Sequence, residues 1–190
     1  YLIVNDVRIP NVVELVPRAE ADQRKQSMGH GEGLHPQAGT PYASHNTPLV
    51  SPLGVPCQAP PWGTMSAIDL KTQQVVWHRP MGTVEDAKTA TGFGLGLHVP
   101  VGMPTLSGPI STASGLVFYA GTQDYYLRAM DVATGKELWR GRLPVGGQAT
   151  PMTYVSPKTG TQYVALSVGG ARTTKDRGDY VMAYKLKSAR

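Results

Sequence analysis

The chain has 190 residues and a formal net charge of +5, from 18 Lys and Arg against 13 Asp and Glu. Charged residues make up 16% and hydrophobic residues 41%, which excludes a disordered polyelectrolyte. The 22 Gly and 16 Pro disfavour a helical bundle and suit short strands joined by turns. No apolar run approaches the ~18–20 residues of a membrane span.

In chain order, Tyr1-Leu2-Ile3-Val4 reads as a strand rather than a signal peptide. With no initiator Met, the chain reads as a piece of something longer. Pro17 to Trp62 reads as a long loop of Gly, Pro and small polar residues. Its histidines, His30, His35 and His45, lack the close spacing and the Cys or carboxylate support of a metal site. Cys57 has no partner for a disulfide or a zinc motif.

A repeat comes next. Ala67-Ile68-Asp69-Leu70-Lys71-Thr72-Gln73-Gln74-Val75-Val76-Trp77 parallels Ala129-Met130-Asp131-Val132-Ala133-Thr134-Gly135-Lys136-Glu137-Leu138-Trp139. The shared pattern, A-x-D-x-x-T-x-x-x-x-W, is that of a hairpin. One strand ends at Asp, Asp and Thr make the turn, and the next strand carries Trp. Gly135 supplies a positive φ, and Gln74 is expected to take that place in the first copy. Each Trp is placed to pack on the neighbouring repeat.

Met81 to Leu106 reads as a second long loop. Its Gly92-Phe93-Gly94-Leu95-Gly96 run lacks the βαβ context of a nucleotide fingerprint. Strands are expected from Gly108 to Ala113, Leu116 to Gly121, Tyr125 to Asp131 and Lys136 to Arg140, the size of one propeller blade. Three more follow: Ala149 to Val155, Thr161 to Val168 and Tyr180 to Leu186. A blade one strand short leaves an open edge, which another part of a longer chain can fill.

The expected organisation is all-β, part of a β-propeller. Residues 1–17 give strands of an upstream blade, 18–61 a long loop and 62–80 a blade hairpin. Residues 81–107 give a second loop, 108–140 a four-stranded blade and 149–187 a final incomplete blade. Asp124 stands just before a strand, where it can cap a turn or serve a site. Gly146-Gly147 and Gly169-Gly170 stand at strand ends, where glycines form turns or let backbone approach a ligand. The basic C-terminal stretch, from Arg172 to Arg190, has no interleaved aromatic stripe and reads as solvated, not as a nucleic-acid surface.

Longer motifs carry a resemblance. They are Gly102-Met103-Pro104-Thr105-Leu106-Ser107-Gly108-Pro109-Ile110, Asp124-Tyr125-Tyr126-Leu127-Arg128-Ala129 and Gly146-Gly147-Gln148-Ala149-Thr150-Pro151. Upstream, Leu53-Gly54-x-Pro56-Cys57-x-x-Pro60-x-Trp62-Gly63 agrees as well. Together they resemble the C-terminal part of the membrane-bound quinoprotein dehydrogenases of the glucose/quinate/shikimate group, and the repeats resemble that family's tryptophan-docking motifs. The resemblance implies an eight-bladed propeller in the bacterial periplasm, anchored in the inner membrane. It implies pyrroloquinoline quinone (PQQ) with Ca²⁺ or Mg²⁺, a polyol or sugar substrate, and ubiquinone as acceptor. Asn5 aligns with a residue beside PQQ, and Asp124 with one implicated in electron transfer to ubiquinone.

Glucose-oxidising members carry His after the second Gly pair, where this chain has Ala171-Arg172. A guanidinium pairs with carboxylate, so the resemblance implies quinate or shikimate rather than glucose. The fragment alone is expected to be inactive. A non-enzymatic periplasmic propeller scaffold is the competing reading.

Overall fold

The computed structural model describes residues 1–21, 33–88, 92, 94, 96–121, 123–171 and 175–187. Its elements begin with β1 (Leu2–Val7), β2 (Asn11–Pro17), a single helical turn α1 (Arg18–Ala21), β3 (Gly33–Pro36) and β4 (Tyr42–Pro48). There follow β5 (Gly63–Asp69), β6 (Gln74–Pro80), β7 (Ile110–Ser111), β8 (Leu116–Tyr119), β9 (Tyr126–Asp131) and β10 (Glu137–Arg142). The last are β11 (Met152–Val155), β12 (Gln162–Val168) and β13 (Tyr180–Tyr184). They form two compact units, one of Tyr1–Arg8 with Pro60–Arg190 and one of Ile9–Ala59.

The larger unit holds three antiparallel sheets, ordered β1-β5-β6, β10-β9-β8-β7 and β11-β12-β13. Two-residue alternation decides which side chains go inside. In β12, Val164, Leu166 and Val168 are buried on one face. In β9 both faces are buried, because its sheet lies between the other two. Met65, Ala67 and Trp77 of the first sheet pack against Val117, Tyr119 and Met130 of the second. On the far side, Leu127 packs with Leu143, Val164, Leu166 and Val168. Each sheet is a blade whose core is the space between it and its neighbour.

The two repeat tryptophans differ. Trp77 donates its indole N–H to the Val132 carbonyl at 2.9 Å, pinning the first blade to the turn of the second. Gly135, at φ +65°, leaves room for that ring; a Cβ there would lie 2.6 Å from Trp77 Cδ2. Trp139 instead meets Tyr184 edge-on, with ring centroids 5.4 Å apart.

The first copy's positive φ falls on Gln73 (59°), not on the expected Gln74. The turn closes by Gln73 N–H to the Asp69 carbonyl at 2.7 Å, as Gly135 N–H closes on Asp131 at 2.9 Å. The left-handed position is therefore the fourth residue after Asp in both copies.

The stretch from Pro17 to Trp62 is not one loop, and residues 1–17 do not all enter a blade. β2 leaves β1 behind and pairs with β4, which also pairs with β3. This sheet covers a small core of Val16, Ala21, Leu34 and Ala43. Its strands escape a hydrophobicity search because β4 reads Tyr-Ala-Ser-His-Asn-Thr-Pro, with one buried residue. Backbone pairing rather than side-chain burial holds it. His35 pairs across from Ser44 and His45 from Leu34, so the two histidines lie on opposite faces and share no site. His30 lies outside the described residues.

Candidate functional site

Asp124 sits between β8 and β9 at 0% exposure. A carboxylate so buried requires partners. Arg128, the third residue of β9, supplies both terminal guanidinium nitrogens: Nη1 donates to Oδ1 at 2.9 Å and Nη2 to Oδ2. The Thr83 backbone N–H donates to Oδ2 at 2.7 Å. Arg128 is itself 3% exposed and reaches Glu137 through Nε at 3.0 Å. Burial works against the Arg128 charge, but the hydrogen bond and field of Asp124 outweigh it, so its pKa is raised. Tyr119 pairs across from Arg128, and burial pushes its phenol well above the ordinary tyrosine range.

The surrounding charges are bound up in the same way. Arg142 makes a two-pronged contact with Asp86, at 2.6 and 2.5 Å, and also donates to the Asp124 carbonyl at 3.3 Å. The guanidinium carbons of Arg128, Arg140 and Arg142 lie 5.3, 5.1 and 4.9 Å from the centroid of the Tyr126 ring. Beside Arg128 opens a cleft of about 450 Å³ with Arg79, Lys136, Glu137 and Arg140 on its walls.

Tyr125 links this centre to the second Gly pair. Its φ of +40° is a conformation that a bulky residue adopts only under constraint. Its ring is buried and its hydroxyl donates to Asp176 Oδ2 at 2.8 Å. That hydroxyl holds the Asp176 carboxyl below the ordinary range. Gly170 N–H donates to the Gly146 carbonyl at 2.8 Å, so the two glycine pairs stand side by side. A Cβ on Gly146 would lie 2.5 Å from the Ala171 nitrogen, which only glycine permits.

The sequence-derived residues thus separate. Asp124 is in the interior, its carboxylate turned to Arg128 and the Thr83 amide. Ala171 is also interior, 1% exposed, and its methyl packs in the core. Arg172 lies outside the described residues. Asn5 lies in β1 opposite Met65, half-buried, and its amide makes no hydrogen bond among the described residues. An amide in that state can serve the carbonyls or carboxylates of a quinone cofactor. No cluster of three or more His, Cys, Asp or Glu able to hold a metal occurs among the described residues.

Sequence reading missed Arg128, Thr83, Tyr125 and Asp176. An Arg inside the apolar strand Tyr126-Leu127-Arg128-Ala129-Met130 is the available signal, because such an Arg demands a carboxylate nearby. Nothing local marks the 51-residue reach from Tyr125 to Asp176.

Comparison with known proteins agrees with the architecture. The chain is 56% identical over 99% of its length to a probable quinate dehydrogenase (quinone) of Xanthomonas campestris pv. juglandis. It is 52% identical over 98% to the quinate/shikimate dehydrogenase (quinone) of Acinetobacter baylyi. It is 46% identical over 97% to the quinoprotein glucose dehydrogenase of Escherichia coli. In each case it spans 24% of the relative's length. Residues 1–164 match the PQQ family described as the β-propeller domain of glucose/ethanol/alcohol dehydrogenases. With blades docked through Trp77 and a match over most of its length, the chain belongs to the PQQ β-propeller family.

Proposed function

We propose that the chain is the C-terminal portion of an eight-bladed propeller in a quinoprotein dehydrogenase. The whole protein oxidises a CH–OH group of a cyclic polyol acid of the quinate/shikimate type and passes electrons to ubiquinone. The observation that carries this reading is family membership combined with Ala171-Arg172 after the glycine pair. The two relatives of higher identity have quinate in their names and the third has glucose, which points the same way. Arg172 supplies the cation that a substrate carboxylate pairs with in bidentate fashion.

PQQ, when bound, supplies the electrophile and electron sink. Asn5 is the residue of this chain that fits it, through its uncommitted amide. The Asp124 carboxylate is already committed to Arg128 and Thr83, so Asp124 acts as a positioning residue. It fixes the start of the loop after β6 and the entry to β9. A Ca²⁺ or Mg²⁺ ion takes its ligands mainly from the rest of the protein. The enzyme is a periplasmic domain of an inner-membrane protein, and this portion alone is inactive.

The competing class is a non-enzymatic propeller scaffold. The test is oxidation of quinate by the full-length protein with a soluble ubiquinone analogue, with and without PQQ and Ca²⁺. Turnover that requires PQQ is expected. A protein that neither binds PQQ nor turns over in its presence overturns the reading in favour of the scaffold.

A further inference from the structure

The cleft of about 450 Å³ beside Arg128 lies between two blades. Arg79 of β6 stands on one wall; Lys136, just before β10, and Arg140, within it, stand on the other. In the register of β9 with β10, Arg128 lies directly opposite Arg140. Like charges so placed repel. Glu137 relieves part of this, with Oε2 at 3.0 Å from Arg128 Nε and Oε1 at 3.8 Å from Arg140 Nε. Four cations on the walls thus stand against two carboxylates, Glu137 and the Asp124 paired with Arg128. His98, also on the wall, faces Glu85 through Nδ1 at 2.8 Å. Two of the cations are anchored by one nitrogen only. Arg79 donates its Nε–H to the Thr134 carbonyl at 3.1 Å. Its stem lies along the turn at Gly135, where a Cβ would come 3.0 Å from Arg79 Cδ. Arg140 is held by Glu137 at Nε and by the Tyr126 ring, whose centroid is 5.1 Å from its guanidinium carbon. The terminal nitrogens of Arg79 and Arg140 and the Lys136 ammonium make no hydrogen bond among the described residues. A guanidinium fixed through Nε keeps its two-nitrogen edge for a ligand, and little ordering remains to be done.

We propose that this cleft binds a phosphate monoester, with Arg79, Lys136 and Arg140 as its donors. The excess of positive charge matches a group that carries about two negative charges near neutral pH. Donors on two facing walls suit the three acceptor oxygens of a phosphate better than the single plane of a carboxylate. The phosphate can belong to a small soluble ester or to a lipid headgroup; both offer the same group to the cleft. Binding there requires neither PQQ nor the oxidised substrate.

The test is calorimetric titration of the full-length protein with three probes. They are glycerol 3-phosphate, dihexanoyl phosphatidic acid, which is the same headgroup with two short acyl chains, and succinate, a dicarboxylate of similar charge. Glycerol 3-phosphate is expected to bind with a Kd of about 1 mM or tighter, and succinate at least about tenfold more weakly. Arg79→Gln and Arg140→Gln are each expected to weaken phosphate binding about tenfold or more, the worth of a hydrogen bond to a charged group. Both side chains are exposed, so the variants should fold, and thermal unfolding checks that they do. Lys158→Gln, on the exposed turn between β11 and β12, removes the same charge elsewhere and should leave binding unchanged. Tighter binding of the acylated probe assigns a lipid headgroup, and equal binding assigns a soluble ester. The site is overturned if neither phosphate probe binds, or if Arg79→Gln and Arg140→Gln bind as the wild type does. Equal weakening by Lys158→Gln would show diffuse surface charge instead of a site, and equal binding of succinate would refute the choice of phosphate.

Discussion

Asp124 shows how far burial changes a residue's meaning. Seen as sequence, it is a polar residue before a strand, equally suited to a turn or a site. At 0% exposure its charge is maintained by Arg128 and the Thr83 amide. Removing one member of a buried pair costs more than the pair contributes, because the partner is left charged in the interior. Asp124→Asn in the full-length enzyme is expected to lower stability by about 3–5 kcal/mol, read from urea denaturation. A loss under about 1 kcal/mol would show that water reaches Arg128. Asp176 gives a prediction in pH. The Tyr125 hydroxyl first, with Lys88 and Arg177, holds its carboxyl low. A depressed carboxyl contributes stability above the ordinary Asp range of about 3.9, and that contribution is lost as pH falls through the lower folded value. Exchange at Gly178 is therefore expected to stay slow through neutral pH and to rise only below about pH 4, and in Tyr125→Phe to rise at a higher pH than in wild type. The existence of these partners was only half legible. Arg128 announces a buried charge by standing among Leu127, Ala129 and Met130, whereas Asp176 is remote in sequence and looks like any loop aspartate.

At the scale of elements, the hairpin repeat was the clearest part of the sequence. Its Asp-x-x-Thr turn, its four-residue step to the left-handed position and its Trp are all local. Asp131 holds the turn by accepting from the Thr134 hydroxyl at 2.7 Å and amide at 2.8 Å. The placement of positive φ was misread by one residue in the first copy because a Gln pair hides the position that Gly marks in the second. Gly135→Ala should cost about 1–3 kcal/mol, since the new methyl meets Trp77 and the backbone is left-handed. Gly160→Ala, at φ +66° with open space around it, bears only the backbone part and should cost about 1 kcal/mol. Equal losses in thermal unfolding would show that the Trp77 contact is slack. In the β2-β4-β3 sheet β2 fell within the strands expected in residues 1–17, but β4 was not legible, because His45, Asn46 and Thr47 carry no apolar alternation. Its strands are specified by pairing with partners outside any local window.

At the scale of the molecule, three sheets stacked face to face explain why the larger unit contains two separate cores. Each core lies between two neighbouring sheets. The family was legible from long motifs around Asp124 and the two glycine pairs. The substrate reading rests on far less, chiefly on Ala171-Arg172. Arg172→Gln is expected to raise KM for quinate about tenfold or more while leaving glucose oxidation within about twofold, since only the acid has a carboxylate to lose. The most direct measurement is the ratio of kcat/KM for quinate to that for glucose, using the full-length enzyme with PQQ, Ca²⁺ and a ubiquinone analogue. The account predicts a ratio well above one. A strong preference for glucose would contradict it.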